Sequence, residues 1–306
     1  MASDVNSSHT SVLPNKAAFA GGILLVYGSS GIALYVIVCT AMFKLRQTAL
    51  GLRFLLSMAV ADIFLMFQFG VWVGVVVIRQ KNFVPAVFRW HVDIVMDTFW
   101  FAMCYHYPVV ACSRFVAVAA PIKFQSLSSK LVDSVCLSVW CVSFLQSLVL
   151  HQFSWYSVFY IEPAVYGTAP DDFEKYVTQG SAQLFTTYHI IIVIVSVSFY
   201  AAAVIKAIKN RSKTAAPSKT LTDRKAANRN DATGTKMNRN LLVICIVNMG
   251  AFVLGQVVVN SGVLTGELVS WFIVLCFLTN SFVNPILLLL FASLVRKEVV
   301  KMVCCK

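Results

Sequence analysis

The chain has 306 residues and a formal net charge of +12; 58% of its residues are hydrophobic, 13% are aromatic and only 12% are charged. A soluble domain carries roughly a quarter charged residues, so this composition excludes a single soluble globular domain, and its apolar content also excludes a disordered or collagen-like chain. The composition predicts a polytopic membrane protein, in which lipid covers the apolar surface.

Seven apolar runs follow one another along the chain. Each is long enough for a helix to cross a hydrocarbon core of roughly 30 Å. The runs lack the alternation of barrel strands, so they are predicted to be helices whose backbone groups are bonded internally. A count of six or eight spans is the alternative, because only a short break separates the last two runs. The predicted spans are Ala17–Phe43, Phe54–Ile78, Trp90–Val118, Leu131–Leu150, Ser181–Ile205, Leu241–Leu264 and Leu268–Ser293.

Basic residues predict the orientation of these spans. Of the 25 lysines and arginines, 20 follow or lie at the end of the first, third, fifth and seventh runs. The positive-inside rule therefore predicts a multi-pass plasma-membrane protein with an extracellular N-terminus. The sequon at Asn6 agrees, since only an external asparagine can be glycosylated, although a chance tripeptide is the alternative. The predicted parts are an extracellular segment (1–16), a transmembrane domain (17–293) with a basic cytosolic loop at about 206–240, and a cytosolic tail (294–306).

Several short motifs, taken in order, resemble those of rhodopsin-like (class A) G-protein-coupled receptors. Residues 56–62 read LSMAVAD, similar to the LSxAxAD signature of the second span. Residues 113–118 read SRFVAV and residues 121–124 read PIKF, similar to DRYxAV and PLxY, and this segment also resembles nematode serpentine chemoreceptors. Residues 280–288 read NSFVNPILL, similar to the NPxxY region. The resemblance covers nearly the whole chain. It implies an all-α, seven-transmembrane helix bundle that senses an extracellular ligand and activates a heterotrimeric G protein.

The chain departs from the family pattern at positions that concern signalling. Ser113 replaces the acid beside the third-span arginine, and Leu288 replaces the tyrosine of NPxxY. The loop 151–179 contains no cysteine, so the usual disulfide to the third span cannot form. These departures leave a second hypothesis open, a seven-span scaffold or decoy that does not couple. A transporter or channel is a further alternative, against which the lack of an internal repeat counts.

The resemblance implies a coupling site and a switch. Arg114 lies at the cytosolic end of the third span, where the family arginine contacts the G protein. The alternative is a basic residue that only orients the chain in the membrane. Pro285 removes a backbone hydrogen bond and is expected to kink the seventh span. The implied coupling residues are Ser113, Arg114 and Phe115, and the implied switch residues are Phe252, Asn284 and Pro285.

Asp62 is a carboxylate in the middle of a span, where an unpaired charge is costly. By resemblance, Asn280, Ser281 and Asn284 of the seventh span converge on it. A carboxylate with several neutral oxygens suits a sodium ion, the only cofactor that the sequence suggests. A protonated or water-bridged aspartate is the alternative.

The outer end of the third span carries a candidate ligand face. Asp93, Met96, Asp97 and Trp100 recur at helical spacing, and by resemblance this face and Gln256 line the ligand pocket. Two acids beside an aromatic ring suit a cationic small molecule or peptide. On sequence alone the preferred alternative is a pair of hydrated acids at a helix start, where the helix dipole favours them. No catalytic dyad is evident, so no enzymatic activity is predicted. No nucleic-acid partner is predicted either.

Three further groups complete the predictions. The last twelve residues resemble the short amphipathic eighth helix of the family, which lies on the bilayer, with Cys304 and Cys305 as palmitoylation sites. The histidines at 91, 106, 151 and 189 lack metal-ligand spacing and are predicted to form hydrogen bonds in the bundle or at its interface. A belt of aromatic residues at the membrane interface is predicted for Trp155, Tyr156, Phe159, Tyr160 and Tyr166.

Overall fold

A computed structural model of the protein describes residues 14–47, 49–214, 242–257 and 268–304. The described chain is an all-α bundle, as predicted, and it also contains one short β-hairpin, which was not predicted. Its helices are α1 (Pro14–Leu45), α2 (Gly51–Met66), α3 (Val73–Arg79), α4 (Ala86–Ala119), α5 (Pro121–Gln125), α6 (Ser129–Leu150), α7 (Phe173–Thr178), α8 (Ser181–Thr214), α9 (Leu242–Val257), α10 (Val269–Phe291) and α11 (Ser293–Cys304).

Six stretches of the described chain are helical, long and apolar enough to cross a membrane. They contain the first five predicted spans and cover the last one except for its terminal residues, and α2, a π-helical segment (Phe67–Trp72) and α3 together form the second. Helix α9 is the described part of the sixth, because residues 258–267 lie outside the described ranges. Helix α4 packs against α2, α6 and α8, which places the third span at the centre of the bundle.

The first two spans pack backbone against backbone through glycines. A methyl group placed on Gly28 would lie 2.7 Å from the Cα of Gly70, and one placed on Gly21 would lie 2.6 Å from the carbonyl oxygen of Gly74. Lipid gives helices no hydrophobic reason to associate, so such close van der Waals packing is what holds them together. Gly70 and Gly74 have the GxxxG spacing, a sequence signal for this contact.

Replacing Gly28 with valine is therefore expected to destabilise the bundle. The new side chain would overlap backbone atoms that cannot rotate away, and overpacking typically costs about 1–3 kcal/mol. A melting curve of the purified protein, together with its surface expression, would measure the loss. The matched control is Gly22→Val on the same helix, where an added methyl group meets nothing within 4 Å. Equal melting temperatures for the two variants would contradict the close-packing account.

The loop after α6 folds over one end of the bundle. Strand β1 (Phe159–Glu162) pairs antiparallel with β2 (Gly167–Pro170), and Tyr166 makes the turn with a φ of 56°. The hydroxyl of Ser270 donates to the carbonyl oxygen of Thr168 at 2.8 Å, and the amide of Asn82 donates to that of Ile161 at 3.2 Å. We call this end of the bundle the hairpin end and the end that carries α11 the tail end.

The predicted aromatic belt is wrong for two of its members. Tyr156 and Tyr166 are each only 3% exposed and belong to the buried core. The loop folds inward, so these rings fill the space between the helix ends instead of lying at a lipid surface. All eight cysteines of the described ranges are free thiols, so in this part of the chain packing and hydrogen bonds hold the loop.

The tail helix α11 has the predicted amphipathic character. Val295 is buried, and Val299 and Met302 pack against the bundle core. Lys44 of α1 lies 3.8 Å from Glu298, which ties α11 to the first span. Cys304 is exposed at the end of the helix, and Cys305 lies outside the described residues.

Candidate ligand site and coupling face

The two acids of the predicted ligand face lie well inside a helix. Helix α4 begins at Ala86, four residues before the predicted span, and no acid lies in its first turn. Asp93 and Asp97 are therefore two and three turns from the helix start, whereas the helix dipole acts within the first turn. The explanation of these acids as a helix-start pair is wrong, because the helix extends beyond the apolar run.

Asp97 is engaged by the loop that covers it. The hydroxyl of Tyr156 donates to Oδ2 of Asp97 at 2.6 Å, and Nε2 of His151 lies 3.9 Å from the same oxygen. Burial, and next the Asp97 carboxylate, raise the pKa of Tyr156, so its hydroxyl keeps its proton and stays a donor. Asp93 is half-buried one turn away, and Met96 is buried. No sequence pattern pointed to Tyr156, because this loop residue comes close to Asp97 only in the folded chain.

Trp100 begins a chain of hydrogen bonds that crosses three helices. Its indole N–H donates to Nε2 of His189 in α8 at 3.2 Å. His189 in turn forms a hydrogen bond with the side chain of Gln256 in α9. The ring of Phe252, one turn from Gln256, lies 5.9 Å from that of His189. The predicted residues Trp100, Gln256 and Phe252 thus come together, with His189 between them.

Histidines in the bundle form hydrogen bonds, as predicted for this residue type. His106 lies 2.9 Å from the hydroxyl of Ser57, which also accepts a hydrogen bond from the indole N–H of Trp140 at 3.1 Å. Together with His189, this places two of the predicted histidines in contacts between helices.

Asp62 is buried and surrounded by donors. The hydroxyl of Tyr35 donates to Oδ2 at 2.6 Å, the amide of Asn284 donates to Oδ2 at 3.0 Å, and the hydroxyl of Ser281 donates to Oδ1 at 3.2 Å. Two of the three predicted partners thus converge on the carboxylate. The amide of Asn280 instead donates to the hydroxyl of Tyr107 at 2.8 Å. Three donors thus bind the carboxylate, and Tyr35 among them was not foreseen from the sequence.

Arg114 is buried at the tail end, with 1% of its surface exposed. Its Nη2 donates to the carbonyl oxygen of Gly51, at the start of α2, at 2.8 Å, and the thiol of Cys245 in α9 is close enough to interact electrostatically with the guanidinium. Within the described ranges, no ion pair to Arg114 is formed and its Nε and Nη1 have no hydrogen-bond partner. A backbone carbonyl therefore restrains this guanidinium in place of a carboxylate.

The neighbours of Arg114 and the switch residues lie in the bundle interior. The hydroxyl of Ser113 donates to the carbonyl oxygen of Val110 in its own helix at 2.7 Å, so its hydrogen is used within α4. The ring of Phe115 lies 6.1 Å from that of Phe199 in α8. Pro285 is buried within α10. Tyr107, which accepts the hydrogen bond from Asn280, packs its ring 4.8 Å from that of Phe252.

Comparison with known proteins identifies the family. The sequence model described as "Serpentine type 7TM GPCR chemoreceptor Srx" matches residues 25–252, well over half of the chain. The chain belongs to the Srx family of serpentine seven-transmembrane chemoreceptors. It is therefore a multi-pass membrane receptor of the G-protein-coupled class, and its family and fold are typically those of receptors without enzymatic activity.

The fold is also similar to that of a solved receptor. The crystal structure of squid rhodopsin aligns with a TM-score of 0.74 and 15% sequence identity, over 96% of this Srx chain and 89% of the rhodopsin chain. At that identity the likeness concerns the seven-helix fold alone. No curated protein matches the sequence.

Proposed function

We propose that this Srx receptor binds an extracellular ligand at the hairpin end and activates a heterotrimeric G protein at the tail end, from the plasma membrane with its N-terminus outside. The chain Trp100–His189–Gln256 carries the proposal. It joins the candidate ligand face on α4 to α9, the helix whose Cys245 contacts Arg114. A ligand that moved Trp100 would thereby favour one of two arrangements of the bundle.

The ligand that fits this site best is a cationic small molecule or peptide. Asp93 and Asp97 supply negative charge, and the edge-packed rings of Trp100 and Phe277, 4.7 Å apart, line the same region. A buried cation beside aromatic faces gains both charge pairing and cation–π attraction. Such a ligand would compete with Tyr156 for Asp97, which links ligand entry to release of the loop.

The remaining assignments support a receptor at the cell surface. The basic residues at the tail end favour a cytosolic location for that end of the bundle. Glycosylation at Asn6 and palmitoylation at Cys304 and Cys305 belong to the same proposal, and two membrane signals, α11 and an acyl chain, give a stable anchor. The bilayer itself is the remaining partner, and neither catalysis nor nucleic-acid binding is part of the proposal. A non-coupling scaffold is the competing function, favoured by the missing acid at Ser113.

Replacing His189 with leucine is expected to weaken signalling without removing surface expression. The change breaks two hydrogen bonds, each worth about 0.5–1.5 kcal/mol, so the concentration of agonist for half-maximal response should rise about 5- to 150-fold. The measurement is a dose–response curve in cells that express a promiscuous G protein, with an agonist found by screening a library of amines and basic peptides.

The control for this experiment is His91→Leu, an exposed histidine near the start of α4. It should leave the dose–response curve unchanged. Equal curves for both variants would refute the hydrogen-bonded chain as the signal route. A screen in which no library member evokes exchange, with the receptor verified at the surface, would favour the scaffold function.

A further inference from the structure

A buried histidine at the hairpin end has an unused nitrogen. His151 follows α6 directly, and its side chain is fully shielded from solvent. Nδ1 lies 2.8 Å from the carbonyl oxygen of Ser147. A carbonyl can only accept, so Nδ1 carries the ring hydrogen, and in the neutral imidazole Nε2 bears a lone pair.

That lone pair faces an acceptor. Nε2 of His151 has no hydrogen-bond partner in the part of the chain that the structure describes, and it lies 3.9 Å from Oδ2 of Asp97. Tyr156 already donates to that oxygen at 2.6 Å, and its ring packs 5.2 Å from that of His151. Two electron pairs that face each other in a buried site repel, whereas a hydrogen between them would join them.

We propose that His151, Asp97 and Tyr156 form a binding site for one proton, and that its occupancy fastens the outer loop to α4. A proton taken from water would bond to Nε2, and the new N–H would donate to Oδ2 of Asp97. A carboxylate oxygen can accept two hydrogen bonds, so Tyr156 keeps its own. A charge-assisted bond is about 2.7–2.9 Å long, so the end of α6 and the loop would close on α4 by about 1 Å.

The charged surroundings decide the direction of the effect. With the proton bound, His151 and Asp97 carry opposite charges, so acid strengthens the contact and rising pH removes it. Asp97 already has a donor in Tyr156, whereas Nε2 of His151 has none in the described ranges. The other titratable or charged groups close to Asp97, Tyr156 or Asp93 are Arg89 of α4, Asp171 of the loop and Tyr176 of α7. Because a cationic ligand would compete with Tyr156 for Asp97, a proton that fastens the loop to Asp97 would oppose that ligand.

Hydrogen–deuterium exchange of the purified receptor in lipid nanodiscs tests the proposal without ligand or G protein. Histidines change charge between about pH 5 and 8, so exchange is measured at about pH 5.5 and about pH 7.5 and corrected for the intrinsic pH dependence. Backbone amides of residues 153–172 should be at least several-fold better protected at the lower pH in the wild type. His151→Gln and Asp97→Asn should each abolish that difference.

Two control variants separate the proton site from general loop stability. His91→Gln, an exposed histidine, should retain the pH-dependent protection. Tyr156→Phe should lower protection at both pH values while keeping the difference between them. Equal corrected protection at both pH values in the wild type, or a difference that survives both His151→Gln and Asp97→Asn, would overturn the proposal. Because the readout needs neither ligand nor G protein, its failure would leave the proposed receptor function standing.

Discussion

Replacing Arg114 with alanine is expected to abolish both ligand-free and agonist-driven nucleotide exchange. The guanidinium is held inside the bundle by the carbonyl oxygen of Gly51, without an ion pair in the described ranges. A buried charge that is only partly satisfied is costly, so little free energy opposes its release when the tail end opens. The same reasoning predicts measurable exchange without ligand.

Ser113→Asp is expected to lower this ligand-free exchange. An aspartate beside Arg114 would restore a charge-assisted hydrogen bond worth roughly 1.5–3 kcal/mol to the resting state. Each 1.4 kcal/mol is a factor of ten in an equilibrium, so the active population should fall about 10-fold or more. The measurement is basal guanine-nucleotide exchange in membranes at matched receptor density.

Lys123→Ala is the matched control for Arg114. Lys123 is an exposed basic residue on the same side of the membrane, nine positions further along the chain. If basic residues here only orient the chain, both alanine variants should behave alike, and unchanged exchange in Arg114→Ala would make the scaffold the better function. Loss of exchange in Arg114→Ala alone would establish a coupling role.

Tyr35→Phe is expected to destabilise the receptor in sodium-free buffer and to make it respond to sodium. The substitution removes the donor that lies 2.6 Å from Asp62, and a lost hydrogen bond to a charged group costs about 1.5–3 kcal/mol. Oδ2 of Asp62 would then keep only the hydrogen bond from Asn284, and its second lone pair would be open to a cation. Melting temperatures in sodium chloride and in choline chloride, at equal ionic strength, would measure both effects.

Tyr27→Phe is the control for this experiment, because Tyr27 is a partly buried tyrosine of the same helix whose hydroxyl makes only a long, solvent-exposed hydrogen bond of 3.5 Å to that of Thr279. It should melt like the wild type in both salts. Equal stabilisation of the wild type and Tyr35→Phe by sodium would show that the ion binds without displacing Tyr35. No response in either protein would leave Asp62 satisfied by its donors alone.

The bundle could be predicted from the sequence because each helix that crosses lipid needs about 20 consecutive, mostly apolar residues. Long apolar runs appear directly as spans, and family motifs supplied the spacing of Asp62, Arg114 and Pro285. Helix ends were harder, because α4 begins with the turn Ala86–Arg89, which the predicted span left out. That single turn decided between two explanations of Asp93 and Asp97.

The contacts that define the candidate site were largely beyond sequence reasoning. Tyr35, Tyr156 and His189 reach their partners across 27, 59 and 89 positions of the chain. Nothing in their local pattern distinguishes them from lipid-facing or interfacial residues. The partner of Arg114 at Gly51 is a backbone carbonyl, which every residue carries, so no choice of side chain could reveal it.

The π-helical segment Phe67–Trp72 has a consequence for reading relatives of this chain. A π turn arises from one extra residue in an α-helix, and one residue corresponds to a rotation of about 100°. Every side chain from Val73 to Arg79 therefore points about a third of a revolution away from where an uninterrupted helix would place it. A relative that lacks the insertion would present a different face of this helix to α1, so an alignment without a gap here would assign the wrong residues to the interior.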